Sequence, residues 1–247
     1  DGNDSILGNG GADTITGGNG NDTILATAGP EGDSLAGDAG ADSVLGGAGN
    51  DMIDGGNDAD TIAAGNGNDT ILGGSGADSL VGGNGDDIIG GGDDADTLIG
   101  GNGADSLDGG AGNDIASYAD ASDPVVVDLA LGRATGGAGN DTLSSIEGVV
   151  GSNFADSLNG DAGAESLWGG DGADTLLGGL GADSLDGGAD NDIASYAGAS
   201  APVVVNLALG TATGGAGADT LVSIEGVIGS DFDDTLTGGN GADTLLG

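Results

Sequence analysis

Apolar residues recur along this chain at a fixed step. Ile6, Ile15 and Ile24 lie nine residues apart. After a two-residue insertion near Pro30, the step resumes at Leu35, Val44, Ile53, Ile62, Ile71, Leu80, Ile89, Leu98 and Leu107. One apolar residue in nine is too sparse for the stripe of an amphipathic helix. Ser or Thr precedes most of these positions, and successive strand side chains point to opposite faces. The pattern therefore predicts short strands whose central residue points inward and whose neighbours point outward. Between them runs a six-residue stretch, G-G-x-G-x-D, as in Gly17–Asp22 and Gly73–Asp78. Each glycine would cost a helix about 1 kcal/mol, and glycine reaches the positive φ values of tight turns. The stretch is expected to be the turn. Asp tolerates left-handed backbone better than most residues, which accounts for Asp58, Asp94 and Asp190 at the fourth position.

Two nonapeptides close one coil of strand, turn, strand, turn. Stacked coils give an all-β fold, a parallel β-roll with 18-residue coils and two sheets across a thin core. Coils in such a stack are about 4.8 Å apart. The sixth-position acid then forms a column on each edge. The acids are Asp13, Asp22, Asp33, Asp42, Asp51, Asp60, Asp69, Asp78, Asp87, Asp96, Asp105 and Asp114, then Asp156, Asp174, Asp183, Asp192, Asp234 and Asp243. Two bare carboxylates about 5 Å apart repel by roughly 0.8 kcal/mol in water and more near protein. Carboxylates interleaved with glycine carbonyls are hard oxygen ligands, which suit Ca²⁺. Two apolar side chains per coil are a small core against the entropy of ordering a whole coil. The ion-free chain is thus expected to be expanded, with Ca²⁺ binding supplying folding free energy.

Composition sharpens this. The chain has 247 residues, 42 acidic and one basic, Arg133, with 60 glycines and no His or Cys; its net charge is −41. Such a charge excludes nucleic acid, whose phosphates need basic partners, and anionic membrane surfaces. Multivalent cations are the natural partner. No apolar run reaches membrane-spanning length.

The repeat text G-G-x-G-x-D-x-U-x, where U is apolar, resembles the repeats-in-toxin (RTX) family of calcium-binding nonapeptides, and does so over nearly the whole chain. The resemblance implies a right-handed β-solenoid holding multiple Ca²⁺ ions, about one per adjacent pair of turns on each edge. It implies sixth-position carboxylates joined by carbonyls of positions one and three of one turn and two and four of the next. Candidate ligands are then Gly46, Gly47, Ala48 and Gly49 with Asp51; Gly73, Gly74, Ser75 and Gly76; and Gly82, Gly83, Asn84 and Gly85. Glu165 in place of Asp, Ala64 in place of a first glycine, and the Pro30–Glu31 insertion are expected to weaken their sites. The resemblance also implies a secreted or cell-surface bacterial protein, exported by a type I route and folding after exit. Its parent could be a toxin, protease, lipase, adhesin or surface-layer protein.

Two longer units interrupt the array. Residues 109–169 and 187–247 are near copies at an offset of 78, each with NDIASYA, PVVV and SIEGV runs. Asp114 to Asp141 and Asp192 to Asp219 both span three nonapeptides, so wider coils of the same stack are expected. The organisation read from this is a regular roll over 1–108, a roll with a longer strand insertion over 109–186, and its second copy over 187–247, in one continuous solenoid. The aromatics gathered here, Tyr118, Tyr196, Phe154 and Phe232, suggest a hydrophobic plug; Glu147 and Glu225 are alternative extra ligands.

No enzyme is expected. Triads, thiol nucleophiles and phosphate loops need residues that are absent, and the carboxylates repeat identically with no unique pair for glycoside cleavage. The N-x-S/T sequons at Asn3, Asn21, Asn68 and Asn140 fall out of the repeat text. The ninth position places Leu7, Leu25, Leu45, Ala63, Val81 and Ile99 in one outward row. An apolar stripe of that kind marks interfaces, so the alternative reading is a self-assembling repeat of a surface layer, filament or adhesin. An ice-binding face, which would need a regular Thr/Asn array on the turns, is disfavoured because the third positions are Asn19, Ala39, Ala48, Asn57, Asn66, Ser75 and Asn84, with no Thr.

Overall fold

A computed structural model describes residues 1–27 and 29–247. The described residues form strands in two sheets and contain no helix. The chain divides into two compact units, Asp1–Ser117 with Ala138–Ile146, and Tyr118–Gly137 with Glu147–Gly247.

In the first unit, strands alternate between two sheets with each nonapeptide. One sheet runs, in pairing order, Ser5–Leu7, Thr23–Leu25, Ser43–Ala48, Thr61–Asn66, Ser79–Asn84, Thr97–Asn102 and Ile115–Ser117. The other runs Thr14–Asn19, Ser34–Ala39, Met52–Asn57, Thr70–Ser75, Ile88–Asp93, Ser106–Ala111 and Gly139–Ser144. Pairing is parallel and places each eighth-position residue on its equivalent one coil away, as Ile62 on Leu80 and Ile71 on Ile89. Ile24, Ile53, Ile62, Ile71, Leu80 and Leu98 are wholly buried between the sheets. The ninth-position row is also in register, Leu45 on Ala63 and Val81 on Ile99. It faces outward, exposed at Leu7 and Leu45 and half-buried over the rest of its length.

The strands are longer than the apolar pattern predicts. Ser43–Ala48 carries the sequence SVLGGA, so the first three positions of the expected six-residue turn belong to the strand. Leu45 pairs Ala63 and Gly47 pairs Gly65, while Gly46 and Ala64 are skipped. The chain kinks at the first position and resumes pairing at the second, where Gly47 takes a φ of 112°. A Cβ on Gly65 would strike the carbonyl oxygen of Gly47. The true turn is three residues, Gly49-Asn50-Asp51, with Gly49 at φ 118°. Asp58, Asp94 and Asp190 take φ of 71°, 76° and 84° at the fourth position, as their chemistry suggests.

The second unit shows what the longer segments are. Val203–Asn206 pairs antiparallel with Thr211–Gly214, which pairs antiparallel with Gly217–Val222. Gly217–Val222 then rejoins the parallel order beside Ser184–Ala189, and Val203–Asn206 beside Thr235–Thr237. These are not wider coils. A meander adds two strands to one sheet, so Asp219 meets Asp183, 36 residues away, rather than a partner one coil back. Val125–Asp128 and Arg133–Gly136 form the same antiparallel hairpin in the first copy. Val125, Val127, Val203 and Val205 point into the core, with Tyr118 and Tyr196. Phe154 and Phe232 are 40% and 49% exposed. The aromatic plug is therefore made by the tyrosines alone, because the phenylalanines occupy the fourth turn position, outside the layer between the sheets.

Candidate metal centre

In the regular array each sixth-position acid is held by its neighbours in adjacent coils. The Asp42 N–H donates to Asp60 Oδ1 at 2.8 Å, Asp60 to Asp78 and Asp78 to Asp96 at the same distance. The opposite edge repeats this through Asp33, Asp51, Asp69 and Asp87, and the Asp105 N–H donates to Asp141 Oδ1 at 3.0 Å. The carbonyl of Asp42 accepts from Thr61 at 2.9 Å, locking the residue into the following strand. These aspartates are almost wholly buried, Asp69 and Asp87 at 1% exposure.

The other carboxylate oxygen has no such partner. Oδ2 of Asp13, Asp22, Asp42, Asp51, Asp60, Asp69, Asp78, Asp87, Asp96, Asp105, Asp174, Asp183 and Asp192, and Oε2 of Glu165, are buried without a hydrogen-bond donor. Buried polar atoms are ordinarily hydrogen-bonded, and a bare buried carboxylate is costly. The first-position glycine makes room for this oxygen. A Cβ on Gly46 would lie 2.5 Å from Asp51 Oδ2 and 2.7 Å from the Ala64 carbonyl oxygen of the next coil. The same two kinds of oxygen crowd Gly55, Gly73, Gly82 and Gly91. A carboxylate oxygen and a carbonyl oxygen thus converge with no donor between them.

The electrostatics follow. Burial, opposed by the backbone N–H bond and reinforced by neighbouring carboxylates, raises the pKa of Asp60 and Asp87 to about 7. It raises Asp96, Asp105 and Asp174 to about 6. Burial, together with the neighbouring Asp161 and Asp183, raises Glu165 to about 8. A proton or a cation must relieve each oxygen.

Among the described residues, no three acidic, His or Cys side chains gather at one point. A cation here must take much of its shell from backbone carbonyls. Oxygen donors of this kind, carboxylate and carbonyl, match the preference of Ca²⁺. Gly74 and Gly83 take φ of 115° and 116°, and Gly76 and Gly85 take 123° and 129°. Gly73 and Gly82 are the skipped kinks, and Ala48, Ser75 and Asn84 end their strands. On the outer side Asn84 Nδ2 donates to Asn66 Oδ1 at 2.8 Å, so third-position side chains turn away from the carboxylates. The departures keep the ladder: Asp33 follows the Pro30 insertion and still bonds Asp51, and Ala64 is accommodated with no exposure.

Three of the proposed acids differ. Asp156 Oδ2 accepts the Ser152 N–H at 2.5 Å, Asp234 Oδ2 accepts the Ser230 N–H at 2.6 Å, and Asp243 Oδ2 accepts the Gly239 N–H at 2.8 Å. Conversely, Asp141 and Asp219 join the ladders, and Glu225 Oε2 accepts the Asp192 N–H at 3.0 Å. The nine-residue phase and the D-T-L text around Asp141 and Asp219 were the available signal. Glu225 stands in an S-I-E-G run with no repeat glycine before it.

A family model, RTX calcium-binding nonapeptide repeat (4 copies), matches residues 1–30, 27–62, 54–89, 63–98, 90–119, 133–145, 149–176, 159–194 and 227–247. Among curated proteins, none matches the chain. The matched stretches cover most of the chain's length, and the chain belongs to the RTX calcium-binding nonapeptide repeat family.

Proposed function

We propose that this chain is a calcium-dependent β-roll module of a larger secreted bacterial protein, ordered when Ca²⁺ reaches its turns outside the cell. The observation that carries the reading is the repeated buried carboxylate oxygen with no donor, as at Asp60 and Asp87. The ligand residues are Oδ2 of the sixth-position aspartates together with first- to fourth-position carbonyls, for instance those of Gly46, Gly47, Ala48 and Gly49, and of Gly82, Gly83, Asn84 and Gly85. Bound Ca²⁺ supplies positive charge that offsets the desolvation and mutual repulsion of these carboxylates. The chain itself positions them: the N–H ladder fixes Oδ1, the first glycine clears the space for Oδ2, and the positive-φ glycines turn the backbone.

The role is structural rather than catalytic, since the same group recurs along the regular array. Extracellular sites of this type work at roughly 10⁻⁴–10⁻³ M, far above cytosolic Ca²⁺, so the reading places folding after export. No helix among the described residues is long and apolar enough to cross a membrane. Far-ultraviolet circular dichroism during a Ca²⁺ titration, with Mg²⁺ as control, tests the reading. A cooperative gain of β signal near millimolar Ca²⁺, reversed by EGTA, is expected. Full β signal in EGTA would falsify it.

A further inference from the structure

The turns that follow the two hairpins are built differently from the rest. In a regular turn the second position has positive φ, as at Gly56, Gly65, Gly74 and Gly83, and the sixth-position Oδ2 has no donor. In Gly151–Asp156 and Gly229–Asp234, serine stands at the second position and phenylalanine at the fourth. None of these four residues has positive φ, which side chains of this kind avoid. The backbone N–H of the second position then reaches the carboxylate. Ser152 N–H donates to Asp156 Oδ2, and Ser152 Oγ donates to Asp156 Oδ1 at 2.8 Å. Oγ in turn accepts the Phe154 N–H at 3.1 Å. Oδ1 also accepts the Val125 N–H at 2.8 Å, the first residue of the hairpin. Ser230, Phe232, Asp234 and Val203 reproduce all four bonds at 2.6, 2.6, 3.1 and 2.9 Å.

We infer that Asp156 and Asp234 are cation-independent latches: protein donors satisfy both carboxylate oxygens and fasten the base of each hairpin, where regular turns leave an oxygen for a metal. A carboxylate accepting several N–H and O–H bonds has little left to gain from a cation. The hairpin coils also carry more core per coil than the regular array, since Val125 and Val127, or Val203 and Val205, are buried beside Tyr118 or Tyr196. The chain therefore alternates metal-dependent stretches with two self-sufficient ones. The inference rests on the calcium reading of the regular turns, and its test separates the two.

Two measurements on the full chain do this. In equilibrium dialysis with Ca²⁺, Asp60→Asn loses bound ion, whereas Asp156→Asn and Asp234→Asn lose none. Ser152→Gly with Phe154→Gly rebuilds a G-G-x-G-x-D turn at residues 151–156 and gains about one equivalent. In hydrogen exchange under EGTA, the Val125, Ser152, Val203 and Ser230 amides exchange at least tenfold more slowly than the Asp60 and Asp87 amides. Ser152→Ala and Ser230→Ala narrow that difference at their own latch. Loss of ion from Asp156→Asn matching that from Asp60→Asn overturns the inference while leaving the calcium reading intact. Uniform exchange across all these amides in EGTA also overturns it. Absence of any bound Ca²⁺ defeats the calcium reading instead, and the exchange contrast still decides the latches.

Discussion

Turns 55–60 and 151–156 start from similar text and end with a buried aspartate in each case. In the first, Gly56 at φ 111° leaves Asp60 Oδ2 facing a carbonyl oxygen and no donor. In the second, Ser152 lacks positive φ and its N–H and hydroxyl both reach Asp156. The Asp carboxylate is the same; whether the N–H four residues before it reaches the second oxygen decides whether that oxygen has a donor. A calcium ligand is therefore not identified by an aspartate at the right spacing. What separates the two turns is the second carboxylate oxygen, left without a donor at Asp60 and given the Ser152 N–H at Asp156.

The comparison can be broken most forcefully by chelation. Excess EGTA is expected to abolish most of the β signal of the regular array, because each turn then carries uncompensated buried charge; retention of that signal would mean the sheets hold themselves. Next in size is the core. Leu80→Ala, at a wholly buried position, should cost about 2–5 kcal/mol and move the Ca²⁺ midpoint upward severalfold in the same titration. Gly65→Ala should cost about 1 kcal/mol or more, since the new Cβ meets the Gly47 carbonyl at a φ of 119°. A denaturant midpoint in saturating Ca²⁺ reads both.

The pH response is smaller and has a defined sign. Burial lifts Asp60 and Asp87 from the ordinary 3.8 to about 7 in the folded, ion-free chain. Between those values the folded chain binds more protons than the unfolded one. The resulting stability is fully present below about pH 3.8 and is lost as pH rises through about 7. Acidification from pH 8 to 5 in EGTA should therefore restore part of the β signal. In the presence of Ca²⁺ the same acidification should weaken ion binding, because protons compete for the same oxygens. A chain that loses structure on acidification in EGTA contradicts the burial of these carboxylates. The smallest effect is expected outside: Leu45→Ala in the outward row should shift stability by about 0.5 kcal/mol or less.

Much of the array was legible in the text. The apolar eighth position declared its face at Ile62, Ile71 and Leu80, and aspartate at the fourth position declared left-handed backbone at Asp58. The strand length was not legible, because Gly-Gly reads as a turn. Only the neighbouring coil shows that Gly47 resumes pairing after Gly46 kinks. The hairpins were half legible. Val125, Val127, Val203 and Val205 alternate as strands should, but a 27-residue spacing fits a wider coil as readily as a meander. Antiparallel pairing of Val203–Asn206 with Thr211–Gly214 is a long-range choice that no local pattern encodes. The same holds for Asp141 and Asp219, whose partners lie 36 residues back.

By itself the sequence determined the period, the all-β character, the inward residue of each coil and the demand for a cation, since a nine-residue repeat of glycine and aspartate at net charge −41 has few other ways to be compact. Which carboxylate oxygens are left without a donor was decided only by the tertiary structure. The first oxygen takes its donor from a residue one or two coils away, and the backbone at the second turn position, as in Gly56 against Ser152, sets whether an N–H also reaches the second.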